Sequence, residues 1–224
     1  MRSGSAFLDA PGPFEQGHIA TYFFLTLPDP AWTPEQQQQW LVKQGQTGLT
    51  NTAIHEVWPG HYLQFTHLAH APTRAGKILT STAFIEGWAH FAEEFMIEAG
   101  YKSDKPEFQA QQLMMAILRD CRLIASVQIH QGSMTIDEAT HFIMQETGFP
   151  AIRANQEALR CLRDLSYGAY VLGKLHIKQL RDDLLKVHPA MSQCTVNDTL
   201  LAFGAPPISL LYEALLGRQP PPLI

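Results

Sequence analysis

Pro106–Gln131, with the sequence PEFQAQQLMMAILRDCRLIASVQIHQ, decides the fold class, because it predicts one long helix that stops at Gly132. Thr73–Ala99 has the same helical spacing and is predicted to be a helix that ends at Gly100. Only Ile19–Leu27 has the β-branched and aromatic composition of a strand. Further helices are predicted over residues 34–44, 51–70 with an interruption at 59–60, 135–148, 151–164, 167–187, 197–203 and 208–216. The sequence therefore predicts a mainly α fold with a short strand or strand pair near the N-terminus.

Composition narrows the class of protein further. The 224 residues are 46% hydrophobic and 17% charged, which predicts one globular domain over residues 1–224. Lys and Arg number 16 against 21 Asp and Glu, without a basic block, so no nucleic-acid partner is expected. No apolar run reaches the ~18 residues of a membrane span. The N-terminus lacks the apolar core of a signal peptide, and Cys121, Cys161 and Cys194 are too far apart for a CxxC pair. Free thiols and a cytoplasmic location are therefore expected.

Two segments carry residues that suit metal chemistry. They are HEVWPGH at residues 55–61 and EGWAHFAEE at residues 86–94. Imidazole nitrogens are good donors for Zn²⁺, and a neighbouring carboxylate can act as a base. Glu86 lies between apolar residues, so it is expected to be partly buried and to need a partner. Three protein ligands would leave a fourth position open for water or substrate, as catalytic zinc requires. The alternative is that these histidines and glutamates are ordinary helix residues.

The spacing of the first segment departs from the usual zinc-protease motif. In HExxH the histidines are four residues apart, whereas His55 and His61 are six apart. On a regular helix this spacing rotates the second side chain by roughly 120° from the first. Pro59 and Gly60 lie between them and are the residue types that can distort a helix. We therefore predict a distortion that turns His61 toward the same ion as His55.

Both segments resemble motifs of the bacterial family called domain of unknown function 885. Its HExxPGHxxQ and EGWAxxxE motifs correspond to HEVWPGHYLQ at residues 55–64 and EGWAHFAE at residues 86–93. The resemblance covers nearly the whole chain in order, with further matching stretches at residues 21–32, 122–135, 166–175 and 204–207. Family proteins are longer on the N-terminal side, so this chain resembles their C-terminal, catalytic part.

Members of this family look like gluzincin-type zinc metallopeptidases. The resemblance therefore implies a zincin-like helical fold that binds Zn²⁺ and an enzyme that hydrolyses peptide bonds or small amides. It implies that His55, His61 and Glu86 are the zinc ligands and that Glu56 is the general base. Glu56 would take a proton from the attacking water and pass it to the leaving amine.

A developing oxyanion needs a hydrogen-bond donor besides the metal. His130, Tyr167 and Tyr170 are the candidates, with Tyr170 and His130 as the preferred pair. Arg122 is an alternative that could also bind a substrate carboxylate through its two parallel donors. Against these roles, the tyrosines could be core residues and His130 could cap its helix.

Other polar residues of the motifs have expected supporting roles. Glu93 lies two helical turns after Glu86 and could accept the second N–H of a ligand histidine. Gln64 is expected to support the helix of the first motif. His90 lies four residues after Glu86 and is a rival ligand, which we rank below His61 because the Pro-Gly distortion makes sense only if His61 is re-aimed.

Other functions remain as alternatives. A di-iron bundle needs Glu-x-x-His pairs on two helices. Residues 138–141 and 15–18 have that spacing, but a capping box already explains Glu138, and the second stretch is rich in glycine and proline. An inactive helical binding module of the same family and a zinc hydrolase of non-peptide amides or esters are the others. The strand at 19–27 either pairs with a substrate backbone or fills a gap in the core.

Overall fold

Helices dominate the structure. The computed structural model describes residues 6–223, apart from the side chains of residue 39 and of residues 42–44. It is 66% helical, which confirms the predicted mainly α fold class. No helix in this range is long and apolar enough to cross a membrane. The helices in chain order are α1 Pro34–Gln44, α2 Gln46–Glu56, α3 His61–His70, α4 Arg74–Ile78, α5 Thr82–Glu98, α6 Pro106–His130, α7 Ile136–Thr147, α8 Ala151–Arg163, a 3₁₀ turn Leu165–Tyr167, α9 Gly168–Val187, α10 Gln193–Leu201 and α11 Ile208–Leu216.

Two short strands precede the helices. β1, Ala6–Asp9, pairs antiparallel with β2, Tyr22–Leu25, and the rings of Phe7 and Phe24 stack with centroids 4.9 Å apart. β2 is shorter than the predicted strand over 19–27, and β1 lies outside the one segment that has the composition of a strand. β1 is ordered by its pairing with a segment more than ten residues away, so its own four residues carry little signal.

The predicted single helix over 73–99 is wrong in its first part. α4 ends at Ile78 and α5 begins at Thr82. Between them the N–H of Ser81 donates to the carbonyl of Ala205 at 2.7 Å. A tertiary hydrogen bond therefore takes the place of a helical one, which no local pattern could reveal.

Capping residues set other helix boundaries. Thr135 and Glu138 form the reciprocal capping box that the sequence predicts at the start of α7. The side chain of Ser192 accepts the N–H of Thr195, so α10 begins at Gln193, four residues before the predicted start.

α5 and α9 pack closely together. α5 contains the second motif, and α9 contains Tyr170. A Cβ on Gly87 would lie 2.5 Å from the carbonyl carbon of Gly173, and one on Gly173 would lie 1.8 Å from the carbonyl oxygen of Ala83. Only glycine permits this approach, because any side chain would collide with backbone. Trp88 and Phe91 belong to the buried core that fills the space around the contact.

A second core joins α6, α7 and α8. Leu118 and Ile143 are among its fully buried side chains. Cys121 and Cys161 are buried in the same core, and Cys194 is exposed elsewhere. All three cysteines are free, as the sequence predicts.

Candidate metal centre

The turn between α2 and α3 brings the second histidine of the first motif back toward the first. The N–H of Gly60 donates to the carbonyl of Ile54 at 3.0 Å. A Cβ on Gly60 would lie 1.8 Å from the carbonyl oxygen of His55, so this turn requires glycine. The indole N–H of Trp88 donates to the carbonyl of Pro59 at 3.0 Å and ties the turn to α5. The predicted distortion at Pro59 and Gly60 is therefore present.

His55, His61 and Glu86 converge on one point. The Nε2 atoms of His55 and His61 lie 3.5 and 3.6 Å from Oε2 of Glu86. One ligand atom from each residue lies within 4.8 Å of the other two. Within residues 6–223, no other group of three His, Cys, Asp or Glu side chains comes together in this way.

This donor set fits a zinc ion. Two imidazoles and one carboxylate form a known catalytic zinc set, whose ligand distances of about 2.0–2.2 Å separate the ligand atoms by roughly 3.4 Å. Oε2 of Glu86 is buried and has no hydrogen-bond partner. A buried carboxylate oxygen without a partner is costly, and a cation between the three side chains would satisfy it.

A buried carboxylate orients the first histidine. Nδ1 of His55 donates to Oε1 of Glu93 at 2.8 Å, which leaves Nε2 facing Glu86. Glu93 is fully buried and accepts two hydrogen bonds from Arg119, at 3.0 and 2.6 Å, and one from Asn51, at 3.0 Å. In zinc sites, a ligand histidine usually donates its second ring N–H to a carboxylate, and Glu93 accepts this hydrogen bond from His55.

Sequence reasoning missed Asn51 and Arg119. Asn51 lies four residues before His55 on the same face of α2, and that spacing is a signal that could have found it. Arg119 reaches Glu93 from α6, 26 residues along the chain, and nothing in its own segment indicates the contact.

Gln64 and Phe65 support the second histidine. Oε1 of Gln64 lies 3.4 Å from Nδ1 of His61, and its amide nitrogen donates to the carbonyl of Phe84 at 3.4 Å. The ring of Phe65 stacks on His61 with centroids 5.6 Å apart. The expected support from Gln64 is therefore directed at His61 itself.

The electrostatics of the cluster favour positive charge. Burial acts to lower the pKa of His55, but the carboxylates of Glu86 and Glu93 outweigh it and raise that pKa to about 9. Burial acts to raise the pKa of Glu86, but the two neighbouring histidines hold it well below its usual range. The pKa of Glu93 is likewise low despite burial, chiefly because of the charge of Arg119. A cation is stabilised at this point of the fold.

His90 lies outside the group of converging ligand atoms. It is 1% exposed, and neither of its ring nitrogens has a hydrogen-bond partner. Burial, followed by the charge of Arg119, lowers the pKa of His90 to about 2, so the ring is neutral.

Tyr170 lies directly beside the cluster. Its ring stacks on His55 with centroids 6.3 Å apart and an interplanar angle of 13°. Burial and then the negative charge of Glu86 raise the pKa of Tyr170, so its hydroxyl stays protonated and can donate. Tyr167 is one step further away, with its ring centroid 6.1 Å from that of Tyr170.

Arg122 and His130 have other partners. Nε and Nη2 of Arg122 donate to Oε2 of Glu157 at 2.9 and 2.8 Å, so these donors are already engaged inside the protein. His130 is exposed at the end of α6, and its Nδ1 donates to the carbonyl of Ser126 at 2.8 Å. Along the helix axis, His130 is about 16 Å from Arg119, the residue of α6 that contacts Glu93. The structure does not place His130 with the converging residues.

Glu56 is the last residue of α2 and follows His55 directly. Its side chain is half-buried, and no hydrogen bond or ion pair engages it in the described part of the chain.

The residues of the di-iron alternative have local roles. Glu138 is held in its capping box, and Nδ1 of His141 donates to the carbonyl of Asp137 at 2.8 Å. Glu15 accepts the N–H of Gly12 at 2.6 Å. These residues belong to no ligand cluster within the described range.

The fold and the cluster together define a mainly helical protein with a three-residue candidate metal centre. The sequence matches the family described as "Bacterial protein of unknown function (DUF885)" over residues 1–215. The chain belongs to this family, as the motifs predict.

Two solved structures share the fold. The first is described as a "putative lipoprotein of unknown function" from Shewanella oneidensis, with a TM-score of 0.84 and 24% sequence identity. The second is a "putative lipoprotein" from Colwellia psychrerythraea, with a TM-score of 0.83 and 21% identity. In both cases 96% of this chain is matched, and it spans only 40% and 35% of the longer chains. None of the curated proteins compared matches the sequence.

Proposed function

We propose that this chain carries the catalytic centre of a zinc-dependent hydrolase that cleaves peptide bonds. One observation carries the proposal. Ligand atoms of His55, His61 and Glu86 lie within 4.8 Å of one another, and Oε2 of Glu86 is buried without a hydrogen-bond partner. The family resemblance of the two motifs supports a peptide or small amide as the substrate.

The protein's own groups divide the chemistry between them. His55, His61 and Glu86 would hold the zinc ion, which would supply Lewis acidity for polarising a carbonyl and for lowering the pKa of water. Glu56 takes up the proton of the attacking water at its carboxylate and returns it to the leaving amine. Glu56 makes no hydrogen bond or ion pair within the described residues, so no competing contact has to break before it acts.

Tyr170 is the donor that we assign to the developing negative charge. Its ring is stacked on a ligand histidine, and its hydroxyl stays protonated. We prefer Tyr170 to His130, because the exposed ring of His130 already forms a hydrogen bond with the carbonyl of Ser126. Glu93 keeps His55 in the tautomer that presents Nε2 to the site.

The location of the protein belongs to the proposal as well. The sequence alone predicts the cytoplasm, but both longer structures are named lipoproteins. Those names favour a location outside the cytoplasm for this protein. Fractionation of the source cells, followed by immunodetection, decides between the two locations.

Metal content tests the proposal most directly. We expect about one zinc per chain in the purified, unchelated protein by plasma mass spectrometry, and its loss in Glu86→Ala. Glu213→Ala, at an exposed position of α11, is the matched control and should keep the metal. A zinc-loaded protein should cleave members of a peptide library and stop on chelation. A folded wild type without metal would contradict the proposal and favour an inactive binding module.

A further inference from the structure

Three arginines lie near one carboxylate, that of Glu157, beside Tyr167. Arg122 donates twice to Oε2 of Glu157, and Nη1 of Arg160 lies 3.9 Å from the same oxygen. The charges of Glu157 and Arg122 also act on Arg153. Among the described residues, Glu157 is the only carboxylate that forms an ion pair with Arg122 or Arg160, and Arg153 forms none. We call Arg122, Arg153, Arg160 and Glu157 the arginine cluster.

The positive charge of the arginine cluster is only partly compensated. Nε of Arg153 is buried and has no hydrogen-bond partner, and its guanidinium lies over the ring of Phe149 at 3.3 Å. Burial lowers the pKa of Arg153 to about 10, which leaves it charged at neutral pH. The side chain of Arg160 is 45% exposed, so its donors can reach a ligand from solvent. A buried donor without a partner is costly, and an anion is the ligand that would satisfy it.

A row of rings connects the arginine cluster to the candidate metal centre. The guanidinium groups of Arg122 and Arg160 lie 5.0 and 5.2 Å from the ring centroid of Tyr167. From there the ring centroids lead to Tyr170 at 6.1 Å and then to His55 at 6.3 Å. This path is roughly as long as five residues of extended peptide.

We propose that the arginine cluster binds a carboxylate of the substrate while the bond to be cleaved lies over the metal centre. Arg160 and Arg153 provide the donors for this carboxylate. The Arg122–Glu157 pair holds Glu157 in place beside them. The hydrolase should therefore prefer peptides with an acidic group a few residues from the cleaved bond. That group is either the C-terminal carboxylate or an Asp or Glu side chain. The inference deepens the proposed function and rests on it.

Binding to an inactive protein tests the preference without turnover. The full chain with Glu56→Gln is titrated against three fluorescent peptides of one sequence, and binding is followed by anisotropy. The first has a free C-terminus, the second is amidated, and the third is amidated but contains an internal Glu. We expect a charged peptide to bind roughly ten- to a hundredfold more tightly than the neutral one. The peptide that binds tightly identifies the source of the carboxylate.

Substitution of the arginines provides the second measurement. Arg160→Gln, alone and with Arg153→Gln, should remove most of the preference, and salt should weaken binding of the acidic peptides only. Arg163→Gln, at an exposed position of the same helix, is the matched control and should keep the preference. Equal binding of all three peptides, no binding at all, or an equal effect of Arg163→Gln would overturn the inference. Metal content and turnover of the neutral peptide by the wild type report separately on the proposed function.

Discussion

Nδ1 of His55 lies 2.8 Å from Oε1 of Glu93, which is seven residues after Glu86 on the same face of α5. One helix therefore supplies both a candidate ligand and the carboxylate that orients another ligand. Arg119 compensates the buried charge of Glu93 from α6. The centre depends on α2, α3, α5 and α6 together.

Glu93→Gln should weaken zinc binding by about 10- to 100-fold, because His55 loses its charged partner and Arg119 loses its counter-ion. Competition with a chromogenic chelator measures the affinity, and circular dichroism checks the fold. Glu94→Gln is the matched control, since the neighbouring carboxylate pairs with Lys174 and Lys178 instead. Equal affinity in wild type and Glu93→Gln would remove the orienting role.

Glu56→Gln should keep zinc and lower kcat by at least about 100-fold, because an amide cannot take up the proton. Turnover of a cleaved library peptide and metal content are measured on the same sample. Glu213→Gln should behave as wild type. If Glu56→Gln keeps full activity, another residue is the base.

Tyr170→Phe should lower kcat by roughly 100-fold with little change in KM, since the hydroxyl acts on charge that develops only in the transition state. Tyr101→Phe, on a partly exposed ring outside the site, serves as the control. Tyr167→Phe should have a much smaller effect on kcat. A larger loss in Tyr167→Phe than in Tyr170→Phe would reverse the assignment.

Zinc should stabilise the protein against heat. At a free concentration 100 times the Kd, the gain in the free energy of unfolding is about 2.7 kcal/mol. For a chain of this size, that gain raises Tm by roughly 5–10 °C. Differential scanning fluorimetry with zinc, and then with a chelator, measures the shift. Glu86→Ala should show no shift, and an unchanged Tm in wild type would argue against a zinc site.

Gly60→Ala should destabilise the fold by about 1–3 kcal/mol and reduce zinc binding, because the new methyl group would meet the carbonyl of His55. Urea denaturation with and without zinc measures both effects. Gly12→Ala is the control, since a Cβ there meets nothing closer than 3.8 Å. Wild-type stability in Gly60→Ala would mean that the turn tolerates a side chain.

Local patterns predicted most of the fold. The capping box at Thr135 and the spacing of apolar residues indicate helices that are present, because caps and amphipathic faces act over a few residues. The failures have a different cause. β1 depends on its pairing with β2, and the break before α5 depends on a hydrogen bond from Ser81 to Ala205. Both contacts join segments that are distant along the chain.

The candidate site divides in the same way. His55, His61 and Glu86 could be predicted because the two motifs that contain them resemble those of a known family, and Glu93 because it lies two helical turns after Glu86. The partner of Arg122 could not, because Glu157 is 35 residues further along the chain and meets it only after α6 and α8 pack. The free donors of the arginine cluster follow from that same packing.

The backbones of α5 and α9 touch at Gly87 and Gly173. If α5 rotated relative to α9, it would pivot at this contact. The displacement of a residue would then grow with its distance from the contact. Glu98, at the end of α5, is about 16 Å from this point, whereas Glu86 is one residue away. A relative rotation of α5 and α9 about this contact would therefore displace Glu86 much less than Glu98.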